Sequence, residues 1–143
     1  MGKKRIIKKR GGSDVSGTSR ALQRVPKRKI ASGTLSVLAT FNNTILSLCD
    51  TKGNALIAAS CGAIGFKGSR KSTPFAAAKV GEIIAEKASQ MGMKEARVVI
   101  TGVGPGRESA LRAFAGKGIN VTSITDKTPI PFNGPRAKKP RRV

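Results

Sequence analysis

The chain has 143 residues, room for one core with flanking extensions, and contains no apolar run of the length a membrane span needs. Its formal charge of +21 comes from 28 Lys/Arg set against 7 Asp/Glu, with no His, so the commonest catalytic base and metal ligand is missing and a polyanionic partner is expected. There is no Trp or Tyr and only five Phe, too few for the stacking platforms of single-strand binders, which leaves phosphates and the shape of folded nucleic acid as the expected targets.

The charge gathers at the two ends. Residues 1–30 carry eleven Lys/Arg and one acid, and residues 127–143 carry six Lys/Arg and none. The chain therefore divides into a basic N-terminal arm (1–33), a globular domain (34–126) and a basic C-terminal arm (127–143). Lys3, Lys4, Arg5, Lys8, Lys9, Arg10, Lys27, Arg28 and Lys29 are the candidate RNA contacts of the first arm. Arg136, Lys138, Lys139, Arg141 and Arg142 are those of the second, and Asn133-Gly134 ahead of them favours a turn. Neither arm has the bulky apolar face of a membrane-surface helix, so nucleic acid is preferred over membrane. The opening "MGKKRIIKKRGG" lacks the apolar centre of a secretory signal, and the cytosol is the expected compartment.

In chain order, "TLSVLATF" (34–41) alternates with Leu35, Val37, Ala39 and Phe41 on one face, the period of a half-buried strand. "TILSLCD" follows, with Asn42-Asn43 between them able to supply the positive φ angles of a two-residue hairpin turn. "DTKGN" is a second turn and "ALIAASC" a third strand, completing an antiparallel meander. After residue 73 the period lengthens: Ala77, Val80, Ile84, Ala88 and Met91 make one helical stripe. Ser72 or Thr73 can cap this helix, Pro74 suits its first position and Gly92 its end. Its many Ala and Gly residues would allow close packing on the sheet. "ARVVITGV" reads as a buried strand, "RESALRAFA" as a short helix and "INVTSITD" as a last strand, joined by right-handed crossovers. The expected fold is α/β, a mixed five-stranded sheet with two helices, flanked by basic extended N- and C-terminal arms.

Two loops carry the candidate chemistry. In "GFKGSRKSTPFAAAK" (65–79) the Gly-x4-Gly-Lys-Ser/Thr spacing of a nucleotide-binding loop fails, because Arg70 stands where the second glycine would be. Lys67, Arg70 and Lys71 instead form a cationic loop at a helix start, suited to one phosphate of a polymer. "GVGPGRES" (102–109) lacks the glycine spacing of a dinucleotide fold, and Pro105 removes one donor. Gly104 and Gly106 serve either a tight connection or a phosphate-contacting turn with Arg107 at the helix start; both roles can hold together. Two Cys cannot build a structural zinc site alone. A hairpin centred on 51–54 pairs Cys49 with Leu56 and Cys61 with Thr44, too far apart for a disulfide. Asp50 is better placed as a turn residue than as a metal partner of Asp126, and the scattered acids argue against a two-metal nuclease. No cofactor is expected. An architectural DNA-binding protein is the competing reading.

"TFNNTI", "GFKGSRKSTPFAA", "GVGPGRESALRA" and "ITDKTPIPFNGPR…KKPRRV" occur in the order and spacing of the small ribosomal subunit protein eleven family, which the chain resembles from about residue 34 to its C-terminus, most closely in the bacterial type. The resemblance implies a ribonuclease-H-like motif without catalytic activity. It also implies a place on the platform of the small subunit, bridging helices of its rRNA and helping to form the cleft for the mRNA Shine–Dalgarno duplex. The implied protein partners are small-subunit proteins seven and eighteen and initiation factor three, with no membrane and no homo-oligomer. By position, Asn42, Asn43, Lys67, Gly68, Ser69, Arg70, Lys71 and Ser72 match motif residues that face rRNA. The family usually has His where this chain has Phe132, and Cys where it has Pro135.

Overall fold

The computed structural model describes residues 28–140. Strands β1 (Ser32–Ala39), β2 (Thr44–Asp50) and β3 (Ala55–Ser60) form the antiparallel meander. A single helical turn, α1 (Cys61–Ile64), and a 3-10 turn (Gly68–Ser72) lead into the long helix α2 (Pro74–Gln90). Strand β4 (Glu95–Thr101), helix α3 (Arg107–Ala115) and strand β5 (Asn120–Asp126) complete the α/β domain. The mixed five-stranded sheet runs β3-β2-β1-β4-β5, with β4 parallel to β1 and β5 parallel to β4.

Three helices stand where two were expected. The third strand stops at Ser60, whose hydroxyl accepts the Ala63 N–H at 3.2 Å and starts α1, so Cys61 belongs to a helix rather than to "ALIAASC" as a strand. The first strand also ends early, at Ala39, and Phe41 is 72% exposed in the following loop instead of facing the core. The turn does not centre on Asn42-Asn43: the Thr40 N–H donates to the Asn43 carbonyl at 2.9 Å across Phe41 and Asn42. Among the described residues Asn133 is the one non-glycine residue with positive φ, so Asn42 and Asn43 do not take the mirror-image turn geometry. The Thr40 hydroxyl reinforces this closure, donating to the Asn43 carbonyl at 3.1 Å and accepting the Asn43 N–H at 3.1 Å. At 51–54 the expected register holds for Ile45 with Ser60 through Leu48 with Ile57, then shifts at a bulge that sets Cys49 opposite Ala55 rather than Leu56. Both thiols are free.

Strand β3 runs parallel to β4 through two antiparallel pairings, so β3-α2-β4 and β4-α3-β5 are both parallel crossovers that travel the same way across the sheet. One handedness for both puts both helices on one face. That face holds the core: Leu35, Val37, Leu46, Leu48 and Val98 from the sheet meet Val80, Ile84 and Ala88 of α2 and Phe114 of α3, all fully buried. The predicted stripe of α2 is buried throughout, from Ala77 to Met91. Thr73 caps the helix, accepting the Ala76 N–H at 3.4 Å, while Ser72 donates to the Ser69 carbonyl at 3.1 Å.

Most alanines of α2 are buried in the core shared with the sheet, and Gly81 serves a contact with α3. A Cβ at Gly81 would stand 2.6 Å from the Ala110 carbonyl oxygen and 3.1 Å from the Ala113 Cβ, both on α3. Glycine inside a helix costs about 1 kcal/mol relative to alanine, and here that cost is offset by letting the two backbones meet. Gly81→Ala is accordingly expected to destabilise the domain by about 1–2 kcal/mol in denaturant unfolding, because overpacking against a rigid carbonyl outweighs the helix-propensity gain. A stabilised variant would show that the α2–α3 spacing is not set at Gly81.

Candidate nucleic-acid interface

Four of the five strands, β1, β3, β4 and β5, point the same way, so their carboxyl ends share one edge of the sheet. The segments that leave this edge are 40–43, 61–73, 102–106 and the chain from 127 onward. Helices α2 and α3 also begin here, with the positive ends of their dipoles directed outward. Asn42, Asn43, the 67–72 loop, Gly104, Gly106, Arg107 and the root of the C-terminal arm are thus placed at one end of the sheet by the topology alone, with the 67–72 loop following one outer strand and the arm the other. The carboxyl ends of strands are the usual ligand-binding side of a sheet built from parallel crossovers.

The 67–72 loop is an open part of this edge. Lys67, Gly68, Ser69 and Arg70 are exposed and Lys71 and Ser72 half-buried. The loop is ordered by its own backbone: the Thr73 hydroxyl donates to the Arg70 carbonyl at 2.7 Å, and the Thr73 N–H to the same oxygen at 3.4 Å. Lys67, Arg70 and Lys71 have no carboxylate partner among the described residues, whereas Lys79, Arg107, Arg112 and Lys117 each do. The start of α2 offers few free donors, since Pro74 has no N–H and those of Ala76 and Ala77 bond to Thr73. The attraction for an anion here comes mainly from the three side-chain charges. Sequence reasoning missed the aromatic neighbour: Phe75 is 65% exposed beside the loop, its ring edge-on to Phe66 and 5.8 Å from the Lys79 ammonium. Of the two asparagines, Asn43 is occupied, its Oδ1 accepting the Thr44 N–H at 3.0 Å, and Asn42 is exposed.

The 102–107 turn is committed to the protein itself. Gly104 donates its N–H to the Ala39 carbonyl at 2.9 Å and lies against the Thr40 carbonyl so closely that a Cβ has no room. Gly106 is buried with φ −80°, and a Cβ there would collide with the Thr44 hydroxyl and come within 2.8 Å of the Ala77 Cβ. The approaching group that requires glycine at both positions is the protein's own backbone and core, as a tight connection demands. Arg107 turns inward as well, donating to the Gly102 carbonyl and to the Asp126 carboxylate. Thr128 completes the cluster: its hydroxyl donates to Asp126 at 2.6 Å and accepts the Gly102 N–H at 3.1 Å. The Thr128 and Arg107 hydrogen bonds hold the Asp126 carboxyl down at about 2. The pairing could be anticipated only from a topology that lays the end of β5 beside the start of α3.

The remaining predicted contacts are dispersed. Arg28 and Lys29 are exposed at the opposite end of the sheet, before the Ile30 N–H that bonds the Met91 carbonyl at 3.1 Å. Asn133, Gly134, Arg136, Lys138 and Lys139 are exposed along the C-terminal arm, where Asn133 takes the positive φ of 54° expected of a turn. Lys3, Lys4, Arg5, Lys8, Lys9, Arg10, Lys27, Arg141 and Arg142 lie outside the described residues. Asp50 is a turn residue, accepting from the Lys52 and Asn54 N–H groups at 2.7 and 3.1 Å, and it stands at the other end of the sheet from Asp126. No group of potential metal ligands gathers among the described residues, and no described helix is long and apolar enough to cross a membrane.

A family model described as ribosomal protein S11 matches residues 33–142, from the first residues of β1 through the arm. Within that span, Asp126 gives the Arg107 cluster a pH signature. Its carboxyl is depressed from 3.8 to about 2, so its contribution to stability is complete above the unfolded value and disappears as pH falls through the folded one. Asp126→Asn should therefore lower the melting temperature near neutral pH, and the gap from the parent should close between about pH 4 and pH 2. A gap that stays constant over that window would remove the ion pair as its cause.

Proposed function

The chain belongs to the ribosomal protein S11 family, and we propose that the carboxyl edge of its sheet is the surface that grips rRNA. Members of this family are structural, non-enzymatic constituents of the small ribosomal subunit that bind its rRNA and lie among other ribosomal proteins. The observation that carries the assignment of the edge is the set of cations without a carboxylate partner among the described residues at Lys67, Arg70 and Lys71, at the same end of the sheet as the root of an arm that holds Arg136, Lys138 and Lys139 and no acid. The two acids at this edge are already matched, Asp126 by Arg107 and Glu108 by Arg112.

Within that reading the parts divide the work. Lys67, Arg70, Lys71 and Asn42 meet the phosphate backbone directly. Gly104, Gly106 and Arg107 act through the protein, holding the 40–43 loop and the arm's root in place. The domain of residues 34–126 serves as a rigid mount for basic arms at 1–33 and 127–143, each reaching a different rRNA helix. The position we propose is the platform, beside the cleft for the mRNA Shine–Dalgarno duplex, with small-subunit proteins seven and eighteen as neighbours and initiation factor three within reach. The expected setting is a cytoplasmic ribosome.

Replacing Lys67, Arg70 and Lys71 together by Ala tests the edge. None of the three side chains is part of the buried core, so melting should be unchanged. Binding to a small-subunit rRNA transcript should weaken, and the slope of log affinity against log salt should flatten by about 0.7–0.9 for each phosphate no longer gripped. Normal affinity with an unchanged slope would remove the loop from the interface. Sedimentation of the parent protein gives the coarser check: it should travel with small subunits and leave them only in high salt, not follow DNA.

A further inference from the structure

We propose that Phe132 is a base-stacking site: its ring takes the face of an unpaired rRNA base while the cations around it hold the phosphates. The proposal rests on the rRNA-binding reading above and adds to it a contact of different chemistry. Phe132 is 95% exposed, more than any other large apolar side chain among the described residues. An isolated ring held in water is a cost unless something covers it.

The ring is presented rather than trailing. Pro131 fixes φ on one side of it. Asn133 turns the chain through positive φ on the other, and Gly134 folds back so tightly that a Cβ there would stand 2.9 Å from the Pro131 Cβ. Phe132 thus occupies the apex of a constrained turn, with its side chain directed away from the protein. At its root the arm is fixed by Thr128 to Asp126 and Gly102, which limits where that apex can be.

Charge selects the occupant. Residues 127–140 contain Lys127, Arg136, Lys138 and Lys139 and no acid, so the surface that covers the ring must also accept several cations within a few residues. RNA meets both demands, since each base has an apolar face next to a phosphate. An apolar protein pocket would have to be ringed by acids to do the same. Stacking is indifferent to base identity, so the predicted requirement is an unpaired base rather than a particular one.

The test compares full-length Phe132→Ala, Phe132→Leu and Phe132→Trp with the parent for binding to a full-length small-subunit rRNA transcript across a salt series. Stacking predicts that Ala and Leu each weaken binding by about ten-fold, with the salt slope unchanged because every phosphate is still held by its cation. Trp should keep the affinity, and its fluorescence should be quenched on binding. All three variants should melt like the parent. Parental affinity for Phe132→Ala overturns the proposal, and so does a Leu variant that restores what Ala loses, because aliphatic packing would then suffice. Phe132→Ala that binds rRNA normally but fails to assemble into subunits overturns it in favour of a protein pocket. If the Lys67/Arg70/Lys71 variant loses rRNA while the Phe132 variants do not, stacking alone has failed. A parent protein that does not bind the transcript brings down the underlying reading, and this proposal with it.

Discussion

The parallel pairing of β1 with β4 is the constraint from which the rest of the molecule follows. A meander alone would alternate its strand directions and scatter its loops between two ends. Adding β4 to the open edge of β1, and β5 beyond it, requires two long crossovers, and the preference for one hand places both covering helices on the same side. The cost is that α2 and α3 must lie side by side over a narrow sheet, which the absence of a side chain at Gly81 permits. The return is an edge where three loops, two helix starts and an arm emerge together.

That edge separates two kinds of polar chemistry. Around Gly102, Arg107, Asp126 and Thr128, charges and hydroxyls are satisfied inside the protein and hold segments that are distant in sequence. Around Lys67, Arg70 and Lys71, the loop bonds to itself through Ser72 and Thr73 and leaves its cations facing water. A cation already paired gives little to a phosphate, because forming the new contact means breaking the old one. The difference between the two groups is therefore energetic as well as geometric: one holds the fold together, and the other has no carboxylate partner among the described residues.

Much of this was legible in the sequence, and the exceptions share a cause. Periodicity found all five strands and both long helices, since Leu35, Val37, Val80 and Ile84 repeat at the spacing their burial requires. The errors fell where a side chain bonds to the backbone a few residues away. Thr40 closes the 40–43 loop and spares Asn42 and Asn43 a positive φ; Ser60 starts a helical turn that an apolar run concealed. The ion pair of Arg107 was hidden for a different reason. At a helix start within a basic chain this residue reads like every other cation, and only the pairing of β4 with β5 brings Asp126 to it. The glycines of 102–106 were ambiguous because a tight turn and a ligand-facing turn demand the same residue.

The bonds at Thr128 matter for more than local stability. Ordering a free backbone costs about 1–2 kcal/mol per residue, and a basic arm must meet that cost whenever it is captured. Lys127 continues the β5 pairing through its N–H to the Ile100 carbonyl at 2.8 Å, and Thr128 is held by Asp126 and Gly102. The first two residues of the arm are thus already immobilised in the unbound protein. The same anchor fixes the bearing on which the arm sets out, so that its search for a partner sweeps a cone rather than a sphere.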